Sequence, residues 1–226
     1  MAALARVAGA ALDLAFPPTC AGCGHEGEPL CSACRPALDA RLDLPGGVPI
    51  GMPADIPAPL LQIEWCVPFA GAVRAALHEL KYASERRLAE PLGAAVASRW
   101  ARVGIGAEVI VPVPVHAERE RQRGYDQAAL IADVVARHLH LPLDRALERR
   151  RATTAQFELG RDERAANVHG AFRLKPGTQH GRAIRDRWVL LVDDVVTTGA
   201  TLAACAAVLQ ASGARAVSAI TVARER

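Results

Sequence analysis

Residues 189–201 read VLLVDDVVTTGAT, Val189 through Thr201, and the order of residue types decides what kind of domain this is. The aliphatic run Val189–Val192 suits a strand buried on both faces, as in a parallel sheet covered by helices. Asp193 and Asp194 follow at its carboxyl end, the place where open α/β sheets collect ligands. The turn from Val195 to Gly199 then leads into a helix beginning near Ala200. A helix start presents unpaired N–H groups and the positive end of the peptide dipoles, so such a turn suits an anion. Gly199 permits close backbone approach, and the hydroxyls of Thr197, Thr198 and Thr201 can donate to phosphate oxygens. Carboxylates only accept, so Asp193 and Asp194 call for hydroxyl groups or a hydrated Mg²⁺. A ribose 5-phosphate, with adjacent hydroxyls at one end and a phosphate at the other, meets both demands. A Walker B strand also ends in acids, yet no G-x-x-x-x-G-K-S/T loop occurs, and no G-x-G-x-x-G follows a first strand. The plainer alternative is a pair of acids that cap a helix and face water.

Around this stretch, strands and helices alternate. Residues 62–69 (QIEWCVPF) read as a strand, and Ala70–Tyr82 and Glu85–Val103 as helices. Residues 107–115 (AEVIVPVPV) read as a buried strand ending in a proline-stiffened turn. Tyr125–Leu139 follows as a helix with Leu130, Ile131, Val134 and Val135 on one face. RWVLLV (187–192) is the strand that ends at the acids, Ala200–Ala211 a helix closed by Gly213, and AVSAITVA (216–223) a last strand. This alternation predicts an α/β domain with a mainly parallel sheet. Residues 148–170 are polar, arginine-rich and poorly periodic, which predicts a long loop or a short hairpin, and long loops are usually functional.

Length and composition set outer bounds. At 226 residues with 51% hydrophobic and 23% charged content, the chain has room for one main domain and a small second one. No run approaches the about eighteen apolar residues of a membrane span, so no membrane insertion is expected. Residues 1–16 (MAALARVAGAALDLAF) are broken by Arg6 and Asp13 and show no cleavage site before Pro17-Pro18. They read as a short amphipathic helix, not an export signal, and the expected location is cytoplasmic. Arginines crowd at 119, 121 and 123, and again at 145, 149, 150, 151, 161 and 164. With aromatic residues at only 4%, stacking platforms are scarce, and any nucleic-acid contact would run through phosphates.

Cysteines form a separate pattern. Cys20-x-x-Cys23 and Cys31-x-x-Cys34 supply four thiolates suited to one tetrahedral Zn²⁺, and Gly22 and Gly24 let the backbone turn around it. A disulfide framework is the alternative, and a cytoplasmic setting argues against it. So small a module lacks a core of its own, whereas structural zinc contributes about 10–16 kcal/mol of apparent free energy. The Gly/Pro-rich passage LPGGVPIGMPADIPAP (44–59) reads as a connector. The expected division is therefore 1–61 for the cysteine module and connector, and 62–226 for the α/β domain. Cys66 and Cys205, isolated among apolar residues, read as buried core thiols.

The stretch VLLVDDVVTTGAT resembles the phosphoribosyl-diphosphate (PRPP) signature of type I phosphoribosyltransferases. With ALDLAFPPTCAGC (11–23), LHELKY (77–82), VPVPVHAERERQRGYDQA (111–128) and TTAQFELGRDERAANVHGAF (153–172), the chain resembles the ComF family of competence-associated proteins over nearly its whole length. That resemblance implies a type I phosphoribosyltransferase-like α/β fold, its mainly parallel sheet flanked by helices, with a small N-terminal zinc-binding module. It implies that Asp193 and Asp194 hold the ribose hydroxyls, while Val196, Thr197, Thr198, Gly199, Ala200 and Thr201 hold the 5′-phosphate. The diphosphate, with Mg²⁺ bridging its oxygens, would meet the Val113–His116 turn, His116, Arg119, Arg123 and Lys81, and Lys81 would join the two aspartates in catalysis. Gln156, Arg161, Arg164 and Asn167 would close over the pocket. Many ComF-like chains carry a second cysteine pair where this one has Gly47 and Ile50, so one zinc is expected.

The family usually has Asn where this chain has Asp126, and an acid there weakens any anion contact at that position. Plainer readings stand beside several of these roles. Lys81 could hold its amine in water, Arg149–Arg151 could be a solvated basic face, and His138 and His140 suit a helix end in water. No nucleobase-recognition element is visible. Two function classes follow. One is a Mg²⁺-dependent phosphoribosyl transfer from PRPP to an unnamed acceptor, serving DNA uptake. The other is a binding protein for single-stranded DNA or competence proteins that uses the phosphate site for regulation.

Overall fold

A computed structural model describes residues 17–46, 56–150 and 170–225. The proposed amphipathic helix at 1–16, the Gly47 and Ile50 positions, and the loop residues Gln156, Arg161, Arg164 and Asn167 lie outside these described residues.

Four strands form the main sheet: β1 (Ile63–Pro68), β2 (Val109–Pro112), β5 (Trp188–Val196) and β6 (Ala216–Arg224), in the order β1-β6-β5-β2 with every neighbour parallel. Helices cover both faces, so β5 is buried over Val189–Val192 and β6 along its whole length. On one face, Ile110, Leu190, Val192, Ile220 and Val222 pack against α1 (Gly71–Tyr82), α2 (Ala89–Val103) and α4 (Gln127–Leu139). On the other, Val109, Val111, Val189, Leu191 and Val217 pack against α5 (Thr178–Ile184) and α6 (Ala200–Ala211). A two-stranded antiparallel ribbon, β3 (Leu147–Arg149) with β4 (Phe172–Leu174), adds Leu147 and Phe172 to this second core. The ends of the arginine-rich segment thus pair as a hairpin would.

Several elements differ from the sequence reading, which did not foresee α5 (Thr178–Ile184). β5 does not stop at Val192 but continues through both acids to Val196, because β6 runs beside it: Asp193 sits opposite Thr221 and Val195 opposite Ala223. α2 begins at Ala89, not Glu85. A 3₁₀ turn over Arg86–Leu88 precedes it, started by the Glu85 carboxylate accepting from the Arg87 amide at 3.1 Å. α3 (Ala117–Arg123) has no buried residue and therefore no apolar periodicity to betray it; His116 caps its start, and Gly124, at φ 76°, ends it.

The cysteine segment is not a free appendage. Cys20, Leu30, Cys31 and Leu38 share a core with Val73, Ala76, Leu77 and Leu80 of α1. A side chain at Gly22 would meet the Ala72 Cβ at 2.7 Å, so the knuckle rests directly on α1. Below it, the buried Arg99 guanidinium pairs with Glu64 at 2.9 Å and donates to the carbonyl of Arg41 at 2.6 Å. Arg41 in turn stacks 4.1 Å from the Trp65 ring and donates to the Trp65 carbonyl at 3.1 Å. Among the described residues, no helix is long and apolar enough to cross a membrane.

Candidate functional site

β2 is an edge strand that ends at Pro112, opposite Val192, while β5 runs on beyond it. The Val113 amide still donates to the Val192 carbonyl at 2.9 Å, but the next amide on that side, Val115 N, donates to Asp126 instead, so the chain turns away and uncovers the β5 residues that follow. Asp193 and Asp194 emerge at that step. Successive strand residues face opposite sides of a sheet, and the neighbours of the two acids agree. Asp194 faces α1 and α4; Asp193 lies toward Cys205 of α6 and Arg149 of the ribbon.

Asp194 is 6% exposed. Its Oδ2 pairs with the Lys81 Nζ at 2.7 Å and accepts from the Gln127 Nε2 at 3.3 Å. Gln127 Oε1 accepts in turn from the Arg123 Nη1 at 2.9 Å, and the Arg123 guanidinium lies 5.0 Å from the Tyr82 ring. Burial raises the pKa of a carboxyl, but the Lys81 ammonium overrides it and holds Asp194 below the ordinary carboxylate range. The same contact raises Lys81, against a desolvation that would lower it. Among the described residues Asp193 has no such cation partner, and its Oδ1 accepts from the Asp194 amide at 2.8 Å. Burial, and then the charge of Asp194, push its carboxyl well above the ordinary range. The pair is therefore electrostatically split: its surroundings favour the ionised form of Asp194 and disfavour that of Asp193. Lys81 is an ion-pair partner and does not hold its amine in water.

After Val196, whose carbonyl accepts from the Glu225 amide at 2.9 Å, the turn Thr197–Gly199 opens α6. Gly199 sits at φ 81°, a left-handed conformation costing roughly 1–2 kcal/mol for a residue with a Cβ. The Thr198 hydroxyl oxygen accepts from the Ala200 amide at 3.4 Å, and Thr197 is exposed. The first-turn amides of α6 point out of the helix, with Thr201 beside them.

The β2 turn is fixed from α4. Asp126 caps that helix, one oxygen accepting from Ala129 N and the other from Val115 N, each at 3.1 Å. An Asn here would accept with one oxygen only, so the acid fits its local task of joining turn to helix. Burial raises its pKa, with those two amides pulling the other way. His116 is occupied as a cap, its Nδ1 accepting from Glu118 N at 3.3 Å, and its backbone bridges Arg149. Arg119 is exposed and within Coulombic reach of Arg149, without an ion pair among the described residues. The structure thus gathers Lys81, Asp193, Asp194, Arg123 and residues 196–201 around one strand end, with His116 and Arg119 on its rim. Sequence reasoning gave no role to Gln127, although it lies inside the quoted VPVPVHAERERQRGYDQA; Arg149 was grouped with a solvated face, yet it stacks 5.3 Å from Phe172 near Asp193.

The four cysteine sulfurs at 20, 23, 31 and 34 all lie within 4.8 Å of one another. The Cys23 and Cys31 sulfurs are 3.6 Å apart, close to the spacing of about 3.8 Å that tetrahedral Zn–S bonds of about 2.3 Å require. Cys31 N donates to the Cys20 sulfur at 3.3 Å, an arrangement that stabilises a thiolate. Cys66 and Cys205 are buried thiols whose pKa values burial raises, that of Cys66 to about 12.

Residues 126–226 match the phosphoribosyl transferase domain family. The DNA utilization protein YhgH of Escherichia coli K12 is 32% identical over 209 residues, spanning 86% of this chain and 88% of its own length. Competence protein F of Haemophilus influenzae is 38% identical over 96 residues, 42% of this chain and 41% of its own. Competence protein ComFC of Bacillus subtilis is 35% identical over 117 residues, 51% of this chain and 44% of its own.

Proposed function

The chain belongs to the ComF family, and on that premise we propose that it binds Mg²⁺–PRPP at the end of β5 and transfers the phosphoribosyl group to an acceptor in the service of DNA uptake. One observation carries this reading. A split carboxylate pair stands within a few residues of a left-handed glycine that opens a helix, so acceptor groups and an anion cradle face one strand end.

The ribose hydroxyls donate to Asp193 and Asp194, and the 5′-phosphate takes the amides and hydroxyls of residues 196–201. The diphosphate lies toward the β2 turn, where Lys81, Arg119 and Arg123 supply positive charge. Mg²⁺, held with the diphosphate near Asp193, would supply Lewis-acid charge that eases departure of the leaving group. Asp193 would ionise more readily beside such a cation, whose charge would offset that of Asp194. In the transfer, the C1–O bond to diphosphate breaks and the diphosphate leaves with the electron pair. The acceptor nucleophile bonds to C1 and releases a proton, through an oxocarbenium-like state.

A calorimetric titration of Mg²⁺–PRPP into the zinc-loaded protein, beside an Asp193→Asn/Asp194→Asn variant, tests this directly. Saturable binding in the wild type that disappears in a folded variant is the expected result. No binding to folded wild type would refute the reading and leave the turn as a candidate contact for DNA backbone phosphate.

A further inference from the structure

The acid that would accept a ribose hydroxyl and two of the cations that would meet the diphosphate are tied together in this structure. Lys81 sits in the last turn of α1 and reaches across to Asp194, pairing with its Oδ2 at 2.7 Å. Arg123 reaches the same oxygen through one amide. Its Nη1 donates to Gln127 Oε1 at 2.9 Å, and Gln127 Nε2 donates to Asp194 Oδ2 at 3.3 Å. The other oxygen, Oδ1, accepts from the Val195 amide at 2.7 Å. Lys81, Gln127 and the Val195 amide thus already occupy a carboxylate that has about four acceptor positions.

A ribose hydroxyl entering alone would have to displace the Lys81 ammonium from Asp194. A neutral donor does not replace the charge it removes, and a buried carboxylate stripped of its cation is strongly unfavourable. The cation is the easier partner to draw off. The Lys81 side chain is 21% exposed against 8% for that of Asp194, so an incoming anion meets the lysine before it meets the acid. Arg123 is half-buried at the end of α3, its guanidinium over the exposed Tyr82 ring. A diphosphate that engages Lys81 and Arg123 gives each a replacement anion. Asp194 then keeps Gln127 and gains the sugar hydroxyls as donors.

We propose that Lys81 sets the selectivity of the site for a sugar carrying a diphosphate at C1: the lysine closes Asp194 against sugars that lack one, and releases it when a diphosphate takes the ammonium. This rests on the PRPP reading. It adds a reason for ribose 5-phosphate, with the same hydroxyls and the same 5′-phosphate, to bind weakly by itself.

The test uses the full-length, zinc-loaded protein in calorimetric titrations of ribose 5-phosphate, with and without saturating Mg²⁺–diphosphate. Both ligands are anions, so direct repulsion would make each weaken the other. Release of Asp194 by the diphosphate predicts the opposite. Ribose 5-phosphate should bind on the order of tenfold more tightly in its presence, and by linkage the converse should hold equally. The enhancement should vanish in Lys81→Met, where Asp194 is already uncovered. Ribose 5-phosphate alone should bind that variant at least as well as it binds the wild type. Lys81→Met/Asp194→Asn strands no charge, so it serves where the single variant is unstable, and there too the enhancement should vanish. Independent or antagonistic binding of the two ligands to the wild type would overturn the proposal. An enhancement that persists in either folded variant would do the same, since it would then come from Mg²⁺ and not from the lysine. So would a folded Lys81→Met protein that loses ribose 5-phosphate as completely as Mg²⁺–PRPP. In each of these cases the PRPP reading stands if the wild type binds Mg²⁺–PRPP, whereas a folded wild type that does not bind it overturns both.

Discussion

Asp194 stays ionised because Lys81 stands 2.7 Å away, and that contact has a stability signature distinct from its chemistry. Lys81→Met leaves a buried carboxylate without its cation, which we expect to cost about 3 kcal/mol in urea unfolding at neutral pH. Lys81→Met/Asp194→Asn should regain most of that loss, because no charge is then stranded; a double variant as unstable as the single one would contradict the account. The contributions differ in sign with pH. Asp194, lowered, adds stability present above its unfolded pKa of about 3.9 and lost as pH falls through its folded value. Lys81, raised, adds stability present below about 10.4 and lost as pH rises through its folded value. Asp193 is raised by burial and by Asp194, so its protonated form favours folding at low pH, and that advantage fades as pH climbs past about 3.9 toward the folded value. Asp193→Asn should therefore have a higher urea midpoint than wild type at neutral pH and a flatter decline on approach to it, while failing to bind Mg²⁺–PRPP. A lower midpoint would show that Asp193 is compensated in a way its neighbours do not reveal.

At the scale of elements, the site depends on how closely α2 and α4 cross. A Cβ on Gly93 of α2 would lie 2.5 Å from the Val134 Cβ and 3.0 Å from the Ile131 carbonyl oxygen of α4. Only glycine lets the two helices approach to this distance, and α4 carries Gln127 and the Asp126 cap at its other end. Gly93→Ala should overpack the crossing and lower stability by about 1–3 kcal/mol, read as a reduced urea midpoint with an unchanged m-value. An unchanged midpoint would mean that the crossing can open without penalty. The helices α1 and α4 were legible because their apolar period matches their buried face, and α6, β1, β5 and β6 because each is a largely apolar run bounded by turn signals. α3 was not, since the run AERERQR has no buried face; its fixed ends, His116 and Gly124, are turn signals that fit a loop equally well. β3 and β4 are three residues each, too short for alternation to register.

For the whole molecule, the cysteine cluster and the sheet share one core through α1, the helix whose last turn presents Lys81. We expect one zinc per chain by metal analysis. Cys31→Ser should lose that metal and lower the thermal midpoint by roughly 10 °C, given about 2–4 °C per kcal/mol for a chain of this size. Metal loss with an unchanged midpoint would show that the cluster contributes nothing to the shared core. What the sequence by itself determined was local: a four-thiolate spacing, an aliphatic strand running into two acids, and a Thr-Thr-Gly turn before a helix. These are patterns of neighbours along the chain, and their chemistry follows from residue type and spacing. Tertiary structure alone decided that the two acids differ, because only folding brings Lys81 and Gln127 to Asp194 from 113 and 67 positions away and leaves Asp193 without a comparable ion pair among the described residues. It alone set Arg149 against the Phe172 ring near Asp193, because ribbon register, not sequence proximity, brings residues 149 and 172 together.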